Sequence, residues 1–360
     1  MLGPRIAEAI FWISFSLVSY VYLGYPLLLL VWSFLVRDAG VKRYSEPTVS
    51  LVIAAYNERE NIVSKMDNCL ELDYPREKLQ VILSLDGPTD GTDALAWKYA
   101  SCGIEIVWSP VRRGKAAALN AAVAEARGEI IVFADARQRL DRSALRELVA
   151  NFHDPSVGGV SGELILCDGT GEEAACGVGL YWRYEKLIRS RESRIHSLLG
   201  ATGALYAIRR KLFEPLPQDT ILDDMMIPLR IVLGGKRVIF DPAARAYDKV
   251  APSPEVEYRR KVRTLMGNYQ LVARMPELLL PSRNPVCFQF LSHKVGRLLV
   301  PYFLMALFVS NLFLLRGIYL GSLVLQTAWY LSALAGYAIS RRSPEDHAPK
   351  SQAGSGKEAA

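Results

Sequence analysis

Ile6 to Val36 is almost unbroken apolar sequence, interrupted by Glu8, Pro26 and scattered Ser, Tyr and Gly residues. A helix needs roughly 20 such residues to cross a bilayer, so residues 1–37 read as an N-terminal transmembrane helix. The run is too long for a signal-peptide core, and no small-residue cleavage site follows it. Arg37, Lys42 and Arg43 come directly after it and only Arg5 before it. The positive-inside rule then puts residues 37 onward in the cytoplasm. Tyr20, Tyr22 and Tyr25 with Pro26 mark a break or an interfacial turn. A second apolar region follows Arg297. Leu298 to Leu315 and Ile318 to Ser340 make two spans within 298–340, linked by Arg316-Gly317 and closed by Arg341 and Arg342. Two spans return the chain to the cytoplasm, in agreement with the first. Residues 286–296 read as an interfacial helix, and 343–360 as a polar, disordered tail.

These spans bracket a soluble segment, and a hydrophobic content of 51% suits such a tethered domain. The net charge of +6 comes without a basic stripe interleaved with aromatics, which argues against nucleic acid. A phosphorylated substrate or anionic lipid headgroups explain the excess. The five cysteines are scattered with no C-x-x-C, so reduced thiols are expected. The four histidines are dispersed too, which gives no zinc site.

Residues 47–280 alternate strand and helix signals. Val49 to Ala54 is an apolar β-rich run that ends at Tyr56-Asn57-Glu58, and a helix follows through Leu70. Leu79 to Leu85 runs into Asp86. Ile104 to Trp108 is a third strand, Ala116 to Ala126 an Ala-rich helix, and Glu129 to Ala134 a fourth strand ending at Asp135. Strands apolar on both faces and separated by helices predict an α/β fold with a mostly parallel sheet. Ligands of such sheets sit at the carboxyl ends of the strands.

Several groups could carry chemistry there. Asp86 and Asp90, in Asp-Gly-Pro-Thr-Asp-Gly-Thr, could accept hydrogen bonds from a base or ribose; an Asx-turn with a helix cap is the plainer alternative. Arg112-Arg113-Gly114-Lys115 opens a helix and suits an anion, or is a solvated charge run. Asp135 could hold a cation bridging a diphosphate, or cap a turn. Gly200 to Ala204 is either a loop that approaches a ligand closely or an ordinary turn. Asp223-Asp224 offers a base for a hydroxyl, or an N-cap with a first-turn acid. Arg260 and Arg263 share a helix face that could present two guanidinium forks to a diphosphate, or lie on a membrane surface.

In this order the motifs resemble the family 2 glycosyltransferases, which have a Rossmann-like GT-A fold. The likeness spans residues 49–270 and is nearest the membrane-bound branch that includes hyaluronan, cellulose and poly-N-acetylglucosamine synthases. Val52-Ile53-Ala54-Ala55-Tyr56-Asn57-Glu58 is similar to the family's opening strand and turn. Asp86 to Thr92 matches its nucleotide loop, and Gly114-Lys115-Ala116-Ala117-Ala118-Leu119-Asn120 its Gly-Lys-x-x-Ala-Leu-Asn segment. The resemblance thus implies nucleotide-binding roles for Ala55, Tyr56, Asn57, Glu58, Asp86, Asp90 and Lys115. Asp135-Ala136-Arg137 stands at its metal-binding Asp-x-Asp, so Asp135 takes a divalent metal, Mg2+ or Mn2+. Asp223-Asp224 stands at its catalytic Glu-Asp, which makes Asp224 the base and Asp223 its support. Arg260 to Thr264 stands at its Gln-x-x-Arg-Trp cluster, with Arg260 and Arg263 on the diphosphate. Thr202 and Gly203 fall to an acceptor loop. Arg137, Asp223, Arg260 and Thr264 depart from the pattern, and Thr264 with so few spans argues against a polymer channel.

The resemblance implies an inverting, metal-dependent enzyme in the cell membrane with its catalytic domain in the cytoplasm. It implies a nucleotide-sugar donor, UDP-linked, and a polysaccharide or lipid-linked acceptor, with a membrane-protein partner or oligomer as a further possibility. The alternative, kept open by Arg137, is a catalytically weak or inactive nucleotide-binding scaffold or sensor.

Overall fold

The computed structural model describes residues 3–36, 42–167, 179–249 and 254–342. The chain opens with α1 (Pro4–Ser19), a π-helical turn (Tyr20–Gly24) and α2 (Tyr25–Leu35). The break expected around Tyr20 to Pro26 is therefore a change of helical pitch: Pro26 gives no N–H to the Tyr22 carbonyl, which accepts from Tyr184 Oη at 2.9 Å instead. The α/β segment follows: β1 (Val49–Ala55), α3 (Ile62–Leu70), β2 (Leu79–Asp86), α4 (Thr92–Ala96), β3 (Ile104–Ser109), α5 (Lys115–Ala124) and β4 (Ile130–Asp135). Beyond it come β5 (Arg139–Leu140), α6 (Ala144–Ala150), β6 (Val157–Cys167), α7 (Leu180–Ile195), β7 (Tyr206–Arg209), α8 (Asp223–Leu233) and β8 (Arg237–Lys249). The chain continues through α9 (Pro254–Arg274), α10 (Cys287–Gln289), α11 (Gly296–Asn311) and α12 (Gly317–Arg342).

The chain forms two compact units, 19–299 and 1–18 with 300–360. In the first, eight strands form one sheet in the order β3-β2-β1-β4-β7-β6-β8-β5. The first four are parallel, with Ala54 opposite Asp135 and Asp86 opposite Ser109. β7 runs antiparallel to β4 and β6, while β6 and β8 are parallel to each other. The sheet is apolar on both faces because helices cover both. Leu51 and Ile53 pack with Ile62 and Met66 of α3 on one side. Val52 packs with Ala116, Leu119 and Ala122 of α5 on the other. The chain order reverses between β1 and β4, which opens a crevice at their carboxyl ends.

The 286–296 segment is helical, but Val286 and Phe290 are buried in the second core cluster and only Phe288 and Leu291 point outward. It is anchored in the domain, since its alternate apolar side chains have core to fill. Lys42, expected as a membrane-flanking cation, instead pairs with Glu147 and Asp241, each at 2.7 Å. Cys167 is disulfide-bonded, against the expectation of reduced thiols, while Cys69, Cys102 and Cys287 are free. Sequence spacing carries no information on which thiols meet in space.

In the other unit, Ala7 and Phe11 pack with Leu307, Leu314 and Tyr319. Trp12 Nε1 donates to Tyr319 Oη at 3.2 Å, and Arg316 pairs with Glu8 at 2.8 Å. The stretches 4–35 and 317–339 are long and apolar enough to cross a membrane. α11 is shorter, at 16 residues, with Pro301 inside. Arg37 and the 343–360 tail lie outside the described residues, as do the side chains of Arg341 and Arg342.

Candidate active site

The ends of β1, β2 and β4 and the first turn of α5 enclose a cavity of ≈ 640 Å³. Ala55, Tyr56 and Glu58 line it from β1, with Asp86 from β2 and Asp135 from β4. Lys115, Arg260 and Arg263 line it as well, so residues from opposite ends of the domain's sequence meet here. Both oxygens of Asp86 are engaged: Oδ1 accepts from the Arg113 amide at 2.6 Å and Oδ2 from the Gly114 amide at 2.8 Å. Asp86 thereby holds the turn that delivers Lys115. Tyr56 stacks under Arg112, whose Cζ is 4.0 Å from the ring centroid.

Two of the expected nucleotide residues do not line this cavity. Asn57 adopts a left-handed φ of 52° and accepts from the Thr89 amide at 2.8 Å. Asp90 accepts from the Thr92 amide at 3.0 Å and the Arg59 amide at 3.1 Å. These bonds are the Asx-turn and cap alternative, and they tie the two loops together.

Asp223 and Asp224 open α8, where the helix dipole favours carboxylates. Asp223 is buried and Asp224 partly so. Lys115 Nζ lies 2.9 Å from Asp135 Oδ1 and 3.2 Å from Asp223 Oδ2, bridging the strand end and the helix start. Burial alone would lower the Lys115 pKa, but Asp135, Asp223 and Asp224 outweigh it and keep the ammonium charged. Pro228 inside α8 has no N–H to give the Asp224 carbonyl four residues back. That carbonyl accepts from the Ala201 amide at 2.7 Å, which docks the 200–204 loop on the carboxylates. A Cβ on Gly203 would stand 3.3 Å from Asp224 Oδ2 and 3.6 Å from Asp135 Oδ2, so only hydrogen separates this backbone from both acids. Thr202 donates its amide to Ser161 Oγ at 3.0 Å and fixes the loop from behind.

α9 is pressed against the residues just before Asp223. Gln270 Oε1 accepts from the Ile221 amide at 3.0 Å, and Gln270 Nε2 donates to the Asp219 carbonyl at 2.8 Å. Arg274 pairs with Asp219. This contact sets Arg260 and Arg263 over the first cavity.

Asp224 also lines a second cavity, of ≈ 550 Å³, with Gly200, Ala201 and Thr264. Its pKa is pushed up to about 6, first by burial and then by the charge of Asp223, while Lys115 and Lys294 pull it back. Such a carboxyl is poised to take a proton near neutral pH. One cavity therefore meets cations and Asp135, the other meets Asp224, and Gly203 lies where both acids converge.

Arg137 lines the first cavity as well, but its guanidinium is held by another acid. It forms a two-pronged pair with buried Asp248, Nε to Oδ1 at 3.0 Å and Nη2 to Oδ2 at 2.7 Å, and hydrogen bonding to Asp248 raises its pKa. Asp248 and the Arg189, Glu192, His293 and Lys294 group around the second cavity gave no sequence signal. They are single polar residues in ordinary helical and strand contexts.

Residues 50–216 match the sequence profile described as Glycosyl transferase family 2. The probable glycosyltransferase YdaM of Bacillus subtilis (strain 168) is 25% identical over 294 residues, 75% of this chain and 68% of that protein. The poly-beta-1,6-N-acetyl-D-glucosamine synthase of Staphylococcus aureus (strain COL) is 27% identical over 236 residues. That match takes in 63% of this chain and 56% of the synthase, so the chain spans little more than half its length. Among solved structures, the mannosyltransferase PcManGT from Pyrobaculum calidifontis, in complex with GDP-Man and Mn2+, superposes with a TM-score of 0.73. It is 25% identical, over 90% of this chain and 92% of that one.

Proposed function

We propose how the glycosyl transferase family 2 domain that this chain carries on a GT-A fold works: it moves a sugar from a nucleotide-sugar donor to an acceptor hydroxyl, with inversion. The observation that carries this reading is the placement of Asp224 on one cavity and Asp135 on another, both within reach of the Gly203 backbone. The donor occupies the cavity at the ends of β1, β2 and β4. Its diphosphate faces Lys115, Arg260 and Arg263, whose charge stabilises the leaving group as it departs. The acceptor hydroxyl approaches from the Asp224 side. Its oxygen bonds to the anomeric carbon as the bond from that carbon to the phosphate oxygen breaks. The proton passes to Asp224, and the nucleoside diphosphate leaves with the electron pair.

A divalent cation, Mg2+ or Mn2+, suits the donors present. Asp135 Oδ1 is taken by Lys115, while Oδ2 has no hydrogen-bond partner among the described residues and faces the loop at Gly203. One carboxylate with phosphate oxygens is an ordinary setting for such an ion, and Asp135 would hold it. Bound there, it would add positive charge on the diphosphate. Arg137 makes its hydrogen bonds to Asp248 and none to Asp135, which leaves Asp135 Oδ2 open for the ion and favours catalysis over an inactive scaffold. UDP is the nucleotide of our reading, after the synthase branch. The GDP-Man complex of the P. calidifontis enzyme makes GDP the competing arm. Helical stretches able to span a bilayer support a membrane site of action, with the domain on its cytoplasmic face.

The test is a screen of UDP- and GDP-sugars for nucleotide release by the purified full chain, with and without Mn2+. Turnover of one donor is expected. Asp224→Asn should lower it by about 10²–10⁴-fold, the usual weight of a general base, with nucleotide affinity retained. Near-normal transfer by that variant would remove Asp224 from the base role.

A further inference from the structure

Arg137 stands two residues past Asp135, just beyond the end of β4, and both line the first cavity, while Ala136 between them is buried in the core. The pair with Asp248 uses one edge of the guanidinium. Nε and Nη2 go to the carboxylate, and Nη1 has no hydrogen-bond partner among the described residues. The Arg137 side chain is 41% exposed and that of Asp248 is 4% exposed. The acid is thus the buried half of the pair, and the guanidinium is the half that meets the cavity.

Asp248 is itself held in place. Its Oδ2 also accepts from Gln138 Nε2 at 2.9 Å, and its Oδ1 from the Lys249 amide at 2.8 Å. Buried Lys65 donates Nζ to the Gln138 carbonyl at 2.8 Å, and Asn68 donates Nδ2 to the Leu140 carbonyl at 2.9 Å. These bonds fasten the turn after β4 to α3. A guanidinium fixed on one edge has given up rotamer freedom before a ligand arrives, so bonds from its other edge cost less entropy.

The diphosphate of the donor is read as lying in this cavity, beside Asp135. A carboxylate at position 137 would put a second negative charge there, and like charges repel until a cation masks them. The Arg137–Asp248 pair is neutral overall. It offers directed N–H donors, which suit a phosphate oxygen.

We propose that Arg137 is a donor-binding residue that hydrogen-bonds the diphosphate through Nη1, with Asp248 and Gln138 positioning it, so that this chain holds a nucleoside diphosphate even without a divalent cation. The proposal rests on the donor reading of the first cavity.

The experiment measures binding of UDP, UMP, GDP and GMP to the detergent-solubilised full chain by titration calorimetry in excess EDTA. The parent should bind its preferred diphosphate at least about ten-fold more tightly than the matching monophosphate. R137Q should lose about ten-fold in affinity for that diphosphate, as loss of a charge-assisted hydrogen bond implies, and keep its affinity for the monophosphate. R137Q leaves Asp248 as a buried charge without its cation. The double variant R137Q/D248N, whose two amides can pair, repeats the test without that cost, and thermal melts certify both folds. A parent with no preference for the diphosphate in EDTA would overturn the proposal. So would variants that match the parent, or that lose the monophosphate equally, the mark of a merely structural role. Binding is read apart from turnover, so a chain that gives the expected pattern but transfers no sugar from any donor with Mn2+ would sink the transfer reading alone.

Discussion

In the proposed mechanism the chemistry turns on Asp224, whose carboxyl is raised by burial and by Asp223 yet opposed by Lys115 and Lys294. The balance gives a sign. A base must be deprotonated to act, so turnover should rise with pH through about 6 and level off above it. Removing one opposing cation should move that point. In Lys294→Gln, less positive charge favours the protonated carboxyl, and the apparent pKa in a kcat/KM profile should climb above that of the parent. A profile flat between pH 5 and 8, or one displaced downward in the variant, would mean another group limits the reaction. Asp223 is buried and ion-paired to Lys115, so the proposed mechanism gives it a supporting role and proton transfer to its neighbour. Arg137, which as sequence stood as a wrong-sign metal ligand, pairs with Asp248 instead.

At the scale of elements, the site exists because α8 and α9 are held by irregularities. Pro228 leaves the Asp224 carbonyl free for the 200–204 loop. Gly267 lets α9 approach the Ile221-Leu222 segment. A Cβ there would lie 2.5 Å from Leu222 Cγ and 2.9 Å from Ile221 Cγ2. Gly267→Ala gains helix propensity but must push α9 away from Asp223, carrying Arg260 and Arg263 with it. We expect a donor KM several-fold higher and a melting point lowered by overpacking of about 1–3 kcal/mol, read by UDP titration and thermal melts. Unchanged UDP affinity would show that α9 does not set the diphosphate contacts.

At the scale of the whole molecule, buried ion pairs tie the domain's second cavity together, and they too have a pH signature. Burial alone would raise the Glu185 pKa, but the neighbouring His293 and the charge of Arg297 hold it down to about 2, from an ordinary 4.5. A carboxyl depressed in the folded state contributes stability above its unfolded pKa. That contribution is lost as pH falls from about 4.5 towards 2. Denaturant melts of the solubilised chain between pH 7 and 3 should show stability falling on the acid side. Glu185→Gln should be less stable at pH 7 and show a shallower fall. An equal acid loss in that variant would assign the effect to other carboxylates.

Most of the parallel half of the sheet was legible in the sequence, since β1 to β4 are apolar runs of strand length that end in polar residues. β6 and β8 were not. β6 carries Gly158, Gly159 and Gly162, which weaken a strand signal, and β8 mixes charged residues with Pro242. Asp135 at a strand end, the adjacent pair Asp223-Asp224, and Arg260/Arg263 on one helix face stood out in the sequence as candidates. By itself, then, the sequence determined which residues are apolar on both faces, which loops end strands, and where apolar stretches could span a bilayer. These are local properties, carried by neighbours a few positions apart. Only the tertiary structure decided that Lys115 bridges Asp135 and Asp223, that Arg137 belongs to Asp248, that Asn57 and Asp90 hold loops, and that Arg189 and Lys294 stand near Asp224. Charge pairing and burial depend on distances across the fold, and residues up to 111 positions apart share these contacts.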